Sequence, residues 1–354
     1  MPPPRLWKNH VGPSERGDAA IPWGSVRVGI VLAAGGAVGV AYHGAVLAAL
    51  EEATGWDPRE AELVVGTSAG SVTGAVLRAG VPAGDLARTS EGEPLSEEGS
   101  RLAAIGSPHR PRPTPAHALA FRPVAEPAAF LHALTHPFGH PVRALVVAAM
   151  PAGGVPTSAI SEGIDLLHGG AWPERPLWVC SYDLRAGRRV VFGKPGSPAA
   201  TVGQAVAASC AIPGYFKPVT IGGRRYVDGG VHSMANLDLV ADSGLDLVVG
   251  VSPMSQASFR LGFTPVDLMR SPLRARLRRE VDALRRRGVR VIVIHPGRAV
   301  IAAMGPNPMD AARRAAVSRA GRESVRRWLA DSPEGRWLAR ALSGDGRRGS
   351  ERTA

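Results

Sequence analysis

Leu63-Val64-Val65-Gly66-Thr67-Ser68-Ala69-Gly70-Ser71-Val72-Thr73-Gly74-Ala75-Val76-Leu77 passes from an apolar run through a glycine-flanked serine into an amphipathic run. The pattern predicts a strand, a sharp turn and a helix, with Ser68 at the apex. A serine on such an elbow sits in a strained backbone conformation, and the positions two before and two after it must be nearly free of side chains. Gly66 and Gly70 meet that demand. This is the arrangement of an activated nucleophile. Gly-x-Ser-x-Gly alone is a weak motif, and the same residues also describe a tight β-α turn whose serine only caps the helix.

Upstream, the strand candidate Val26–Leu32 runs into Ala34-Gly35-Gly36-Ala37-Val38-Gly39, followed by a helical pattern over Ala41–Glu52. A glycine-rich loop that opens a helix presents unpaired backbone N–H groups carrying partial positive charge. It can hold a phosphate or the oxyanion of an acyl-transfer intermediate. A dinucleotide-binding turn is equally compatible, with Glu51, Glu52 or Asp57 as the acid that follows. Far downstream, Tyr226-Val227-Asp228-Gly229-Gly230 follows a hairpin-like stretch, Pro218–Arg225, with its turn at Gly222-Gly223. An aspartate just past a short strand and flanked by glycines can aim its carboxylate into a cleft, though Asp-Gly is also a common turn dipeptide.

The order of these three motifs resembles the patatin-like phospholipase family. The resemblance extends to Ala207-Ala208-Ser209-Cys210-Ala211-Ile212-Pro213-Gly214-Tyr215-Phe216-Lys217-Pro218-Val219 and covers residues 25–300. It implies an α/β fold, a three-layer sandwich with a central, mostly parallel sheet flanked by helices. It implies a lipid acyl hydrolase of phospholipase A, lysophospholipase or carboxylesterase type that works with a Ser–Asp dyad and without metal or cofactor. Carried over by position, Ser68 is the nucleophile, Asp228 the proton acceptor, and the backbone N–H groups of Gly35, Gly36 and Ala37 the oxyanion hole. Gly39, Gly66, Gly70, Gly229 and Gly230 are the motif glycines. The family's loop usually begins with a third glycine and carries Arg or Lys before its last glycine, whereas this chain has Ala34 and Val38. The loop thus lacks the cation but keeps its backbone donors.

Elementary chemistry agrees with that assignment. A serine hydroxyl needs a base to take its proton as it attacks a carbonyl, and a carboxylate within hydrogen-bond reach can serve if the site is dry. Two other readings compete. A Ser–Asp–His hydrolase could use Ser68, Asp228 and His295, although several strands normally precede the elbow in that architecture; His43 and His232 also stand near the motifs and are expected to be packing residues. A non-catalytic phosphate or nucleotide binder could use the glycine loop alone, but no lysine follows it at P-loop spacing: only Lys8, Lys194 and Lys217 exist.

At 354 residues, 45% of them apolar, the chain is expected to form one sizeable α/β domain. Cys180 and Cys210 offer no disulfide framework and read as buried small hydrophobes in a reducing compartment. Residues 1–24 lack the apolar core of a signal peptide and are expected to be flexible, and no apolar run is long enough to span a bilayer. Cytoplasmic residence is the expectation. The hydrolase domain is placed at 25–300, a cap at 89–172, a helical segment at 301–342 and a disordered tail at 343–354. Within the cap, Phe121, Phe130, Leu131, Leu134 and Phe138 suggest a short helical flap over the cleft. Hairpin strands are predicted at Leu177–Leu184 and Arg189–Phe192, a helix at Val202–Ser209, buried strands at Leu247–Val251 and Val289–Ile294, and a late helix from Met309 to Leu329.

The net charge of +12 comes almost wholly from arginine and is densest over Arg270–Arg290. Leu273, Leu277, Val281 and Leu284 recur there at helical spacing, which predicts a surface helix with one stripe on the sheet. The functional reading of its basic face is peripheral contact with anionic membrane. Nucleic acid is not an expected partner, because no binding module or aromatic interleaving accompanies the arginines.

Overall fold

The computed structural model describes residues 26–105, 147, 150–255 and 265–343. The segment 1–24, the five apolar positions of the flap and residues 344–354 of the expected tail lie outside them. The core is an eight-stranded sheet. Strands β1 (Val28–Leu32), β2 (Leu63–Thr67), β3 (Leu177–Asp183), β7 (Leu247–Val251) and β8 (Arg290–Ile294) run parallel in the order β3-β2-β1-β7-β8. Strands β4 (Arg188–Phe192), β5 (Val219–Ile221) and β6 (Arg224–Asp228) are antiparallel additions.

Every residue of β1, β2 and β7 is buried. Parallel strands covered on both faces read as unbroken apolar runs, as these do. Ile30, Leu32 and Val64 face a large cluster completed by the helices, whereas Val31, Leu63 and Val65 face a second cluster on the opposite side. The chain builds from β1 outward to β2 and β3, then returns to the other side of β1 with β7 and β8. The carboxyl ends of the strands at such a reversal form the crevice where open α/β sheets bind ligands. The glycine-rich loop leaves β1 there.

Helix α1 spans Gly36–Thr54, so it starts within the glycine motif rather than at Ala41. Gly36, Ala37, Val38 and Gly39 are its first turn. Its residues from Val38 to Leu50 are almost all buried, which is the pattern of a helix enclosed on all sides, and Gly55 ends it in the left-handed conformation with its N–H on the Glu51 carbonyl. The late helix also differs from expectation: Ala311–Arg313 is a short 3₁₀ turn capped by Asp310, and the α-helix runs Arg314–Asp331, followed by another at Pro333–Ser343. Of the predicted stripe, Leu277, Val281 and Leu284 pack on the second cluster from the helix Pro265–Arg286, the Leu273 side chain lies outside what is described, and Arg278, Arg279, Arg285, Arg286 and Arg287 are exposed. No helix among the described residues is long and apolar enough to cross a membrane.

The detail that positions the site is the pairing of β3. One edge is occupied by β4 from Val179 to Asp183. Along the other edge β2 pairs as far as Thr67 with Cys180, and β6 takes over with Asp228 opposite Ser181. The carboxyl ends of β2 and β6 therefore meet tip to tip on one edge of β3. Directly after this meeting point, helix α2 (Ala69–Arg78) begins. Gly70 in its first turn presses so close to Leu32 that a Cβ would overlap the Leu32 carbonyl oxygen, and a Cβ on Gly66 would stand 2.5 Å from the Ser71 Cα. Gly70→Ala is expected to lower the unfolding free energy by about 3 kcal/mol through overpacking against backbone. A urea midpoint equal to the parent's would contradict this account of the elbow.

Candidate active site

Ser68 stands between β2 and α2 with φ 54° and ψ −120°. For a residue with a Cβ this costs on the order of 1–3 kcal/mol, and such strain persists only where the surroundings hold it. The holding contacts come from three sides. The Ser68 carbonyl accepts from the Ser71 N–H (2.8 Å) and from Ser71 Oγ (2.7 Å). The Ser68 N–H donates to Ser209 Oγ at 2.8 Å, and Ser209 Oγ donates on to the Cys180 carbonyl at 2.6 Å. On the opposite face of the sheet, Asn236 donates from Nδ2 to Thr67 Oγ1 at 3.0 Å. Asn236 is itself held in the left-handed conformation by Ser233 and accepts from Arg189, which grips Asp238 through two hydrogen bonds.

Asp228 is the last residue of β6, rather than a residue beyond the strand, and caps the short turn Gly229–Val231 by accepting from the Gly230 N–H at 2.7 Å. The Ser68 side chain is close enough to its carboxylate to lower its pKa, and both residues are buried. Burial raises the Asp228 pKa from 3.8 to about 6, against the opposing effect of hydrogen bonds from Ser68 and Gly230. A carboxylate so placed is a stronger base than one in water.

The glycine loop closes the site. Its position is fixed by Ala34, whose N–H donates to the Met234 carbonyl, and by Val38, whose N–H donates to the Pro308 carbonyl at 3.1 Å. Gly36 has φ 64°, and a Cβ there would come within 2.6 Å of the Pro308 oxygen. The N–H groups of Gly35, Gly36 and Ala37 meet no acceptor among the described residues. They are the free donors at the amino end of a 19-residue helix, where the helix dipole adds positive potential. A Cβ on Gly39 would touch Ala69 at 3.4 Å, and one on Gly230 would lie 3.8 Å from the Ala34 Cβ, so loop, elbow and Asp-Gly-Gly turn border one another. Val38, at the position where the family carries a cation, is buried in the core cluster.

The histidines lie elsewhere. His295 follows β8, three strands from β2 and so roughly 14 Å away at ~4.8 Å per strand; its Nδ1 pairs with Ser255 Oγ at 2.7 Å, and burial lowers its pKa to about 4. His43 is fully enclosed, 3.4 Å from Thr73 Oγ1, with its pKa lowered by burial to about 3. His232 Nε2 lies 2.7 Å from Arg276. The acids considered for a dinucleotide have structural partners: Glu52 pairs with Arg322, Asp57 with Arg59, and Glu51 accepts from the Gly84 N–H. No group of three or more His, Cys, Asp or Glu residues suited to a metal ion occurs among the described residues.

Residues 171–241 match the family model described as Patatin-like phospholipase. The match takes in β3 to β6 with Asp228, Ser209 and Asn236; the elbow and the glycine loop lie before it, the elbow on β2 along the β3 edge and the loop on β1 beside β2. VipD from Legionella pneumophila is similar at 16% identity over 90% of this chain and 67% of that one, with a TM-score of 0.42. Of the supporting residues, Ser209 falls in a stretch already legible as family-like, whereas Asn236 and Arg189 belong to no pattern and emerge only from the folded arrangement.

The raised pKa of Asp228 has a definite sign. Between pH 3.8 and about 6 the unfolded chain ionises this group and the folded one does not, so stability from the neutral carboxyl is present at low pH and lost as pH rises through about 6. Asp228→Asn is therefore expected to be more stable than the parent at pH 8 by up to about 3 kcal/mol, an advantage that vanishes toward pH 4. Denaturant melts of both proteins at the two pH values check it.

Proposed function

We propose that this protein is a patatin-like lipid acyl hydrolase that cleaves carboxylic esters of lipids with a Ser68–Asp228 dyad, a reading supported by the family-model match over residues 171–241. The observation that carries the proposal is the adjacency of a strained serine, a buried carboxylate beside it, and a bordering loop with three N–H groups that meet no acceptor among the described residues. Asp228 takes the Ser68 proton as Oγ attacks the ester carbonyl. The oxyanion forms against the amides of Gly35, Gly36 and Ala37; removal of one such donor typically costs about 3 kcal/mol in acyl-transfer sites. The proton returns to the leaving alcohol or lysolipid. Water then gives a proton to Asp228 as it attacks the acyl-serine, and that proton passes to Ser68 Oγ as its bond to the acyl carbon breaks, which frees the fatty acid and restores the serine. The helix-facing burial of Val38 leaves the loop without a side-chain cation, so head-group phosphate has no ionic anchor there and neutral esters fit the same machinery.

Basic residues exposed over Arg278–Arg287 support a peripheral role at anionic membrane, and free, buried cysteines support a cytoplasmic setting. Co-sedimentation with vesicles of rising anionic-lipid content is expected to increase with that content; binding indifferent to it would remove the membrane role.

A panel of esters graded in acyl length and head group is expected to be hydrolysed by the parent, with losses of about 10³-fold or more in Ser68→Ala and Asp228→Asn, and kcat/KM rising as Asp228 ionises near pH 6. A fluorophosphonate should label the parent and not Ser68→Ala. Absence of label would favour a non-catalytic anion binder, and a loss in His295→Ala as deep as in Ser68→Ala would favour a Ser–Asp–His enzyme.

A further inference from the structure

In a parallel ladder with Val64 paired to Leu177 and Thr67 to Cys180, the amides of alternate β2 residues bond to carbonyls one step back on β3, as the Val64 N–H does to Pro176. Continued by the same rule, the Ser68 N–H would bond directly to the Cys180 carbonyl. It does not. The Ser209 hydroxyl is spliced between them, accepting from Ser68 at 2.8 Å and donating to Cys180 at 2.6 Å. Ser209 is fully buried at the end of the helix Val202–Ser209, whose start is fixed by a Thr201–Gln204 capping box and by Asp165, which accepts from Thr201 Oγ1 and the Gly203 N–H. The inserted hydroxyl separates the last residue of the ladder from β3, satisfies an amide that the turn would leave orphaned, and gives the backbone room to enter the positive φ that lifts Ser68 toward Asp228.

We propose that Ser209 is a positioning residue for catalysis: its hydroxyl is a relay in the sheet that seats the backbone of the nucleophile, and it touches neither substrate nor reacting atoms. The inference rests on the dyad reading of Ser68. Its removal should misplace Oγ relative to Asp228 and the loop amides, and a misplacement of about 1 Å is enough to cost on the order of 10²-fold in rate.

The test compares Ser209→Ala and Ser209→Thr with the parent in fluorophosphonate labelling rate and in steady-state ester hydrolysis. Ser209→Ala should label about 10- to 100-fold more slowly, with kcat reduced and KM unchanged, while Ser209→Thr, which keeps the hydroxyl, recovers the rate. Equal labelling of the parent and Ser209→Ala overturns the role of Ser209 and leaves the dyad standing. A parent that takes no label overturns the hydrolase reading, and the role of Ser209 with it. Hydrogen exchange on the parent requires no variant to fold: the Ser68 amide should be strongly protected, and rapid exchange there overturns the proposal.

Discussion

A strand has only two edges, and on β3 one of them is taken by β4 over its whole second half. The remaining edge must serve β2 and β6 in succession, with the handover between Cys180 and Ser181. Two strands running in opposite directions along one edge can only meet end to end. Ser68 and Asp228, some 160 residues apart in sequence, become neighbours through backbone pairing alone, before any side chain contributes. The strain at Ser68, the burial of Asp228 and the splice at Ser209 all follow from that junction.

The junction also sets the electrostatics. A carboxylate at the end of a buried strand loses water, and its pKa rises; a helix that starts beside it without capping acceptors offers N–H dipoles of the opposite sign. The first makes the resting site uncomfortable with negative charge, and in the proposed mechanism the second receives charge on a bound ester oxygen. The two effects act on different atoms, so a reluctant carboxylate and the proposed oxyanion pocket can stand side by side. Stability is the term that suffers, since a neutral group at 228 would suit the fold better at neutral pH.

Much of this architecture was legible in the chain. The strands of the parallel core announce themselves as apolar runs, and the hairpin turn at Gly222-Gly223 as a turn dipeptide, because these signals are local. The start of α1 was misread by several residues. Glycine is a poor helix former, and the Gly36-Ala37-Val38-Gly39 stretch looks like loop until the Pro308 carbonyl, far along the chain, is seen to bind the Val38 amide. The adjacency of Ser68 and Asp228 could be expected from motif order, but not its support: Asn236 reaches Thr67 through the opposite face of the sheet, and no periodicity encodes a hydrogen bond of that span. His295 looked eligible because chain order says nothing of lateral distance in a sheet, which the strand order supplies.

The Pro308 carbonyl has one more implication. The amide it engages belongs to the first turn of α1, so the donor loop near residue 36 is completed by a segment close to residue 308, with Met234 and Pro253 as intermediate clamps. During synthesis on the ribosome, the serine, the aspartate and the glycine stretch all emerge well before their last clamp does. A growing polypeptide thus carries Ser68 and Asp228 for a long interval without the finished cradle, and the proposed site is incomplete until nearly all of the fold has closed.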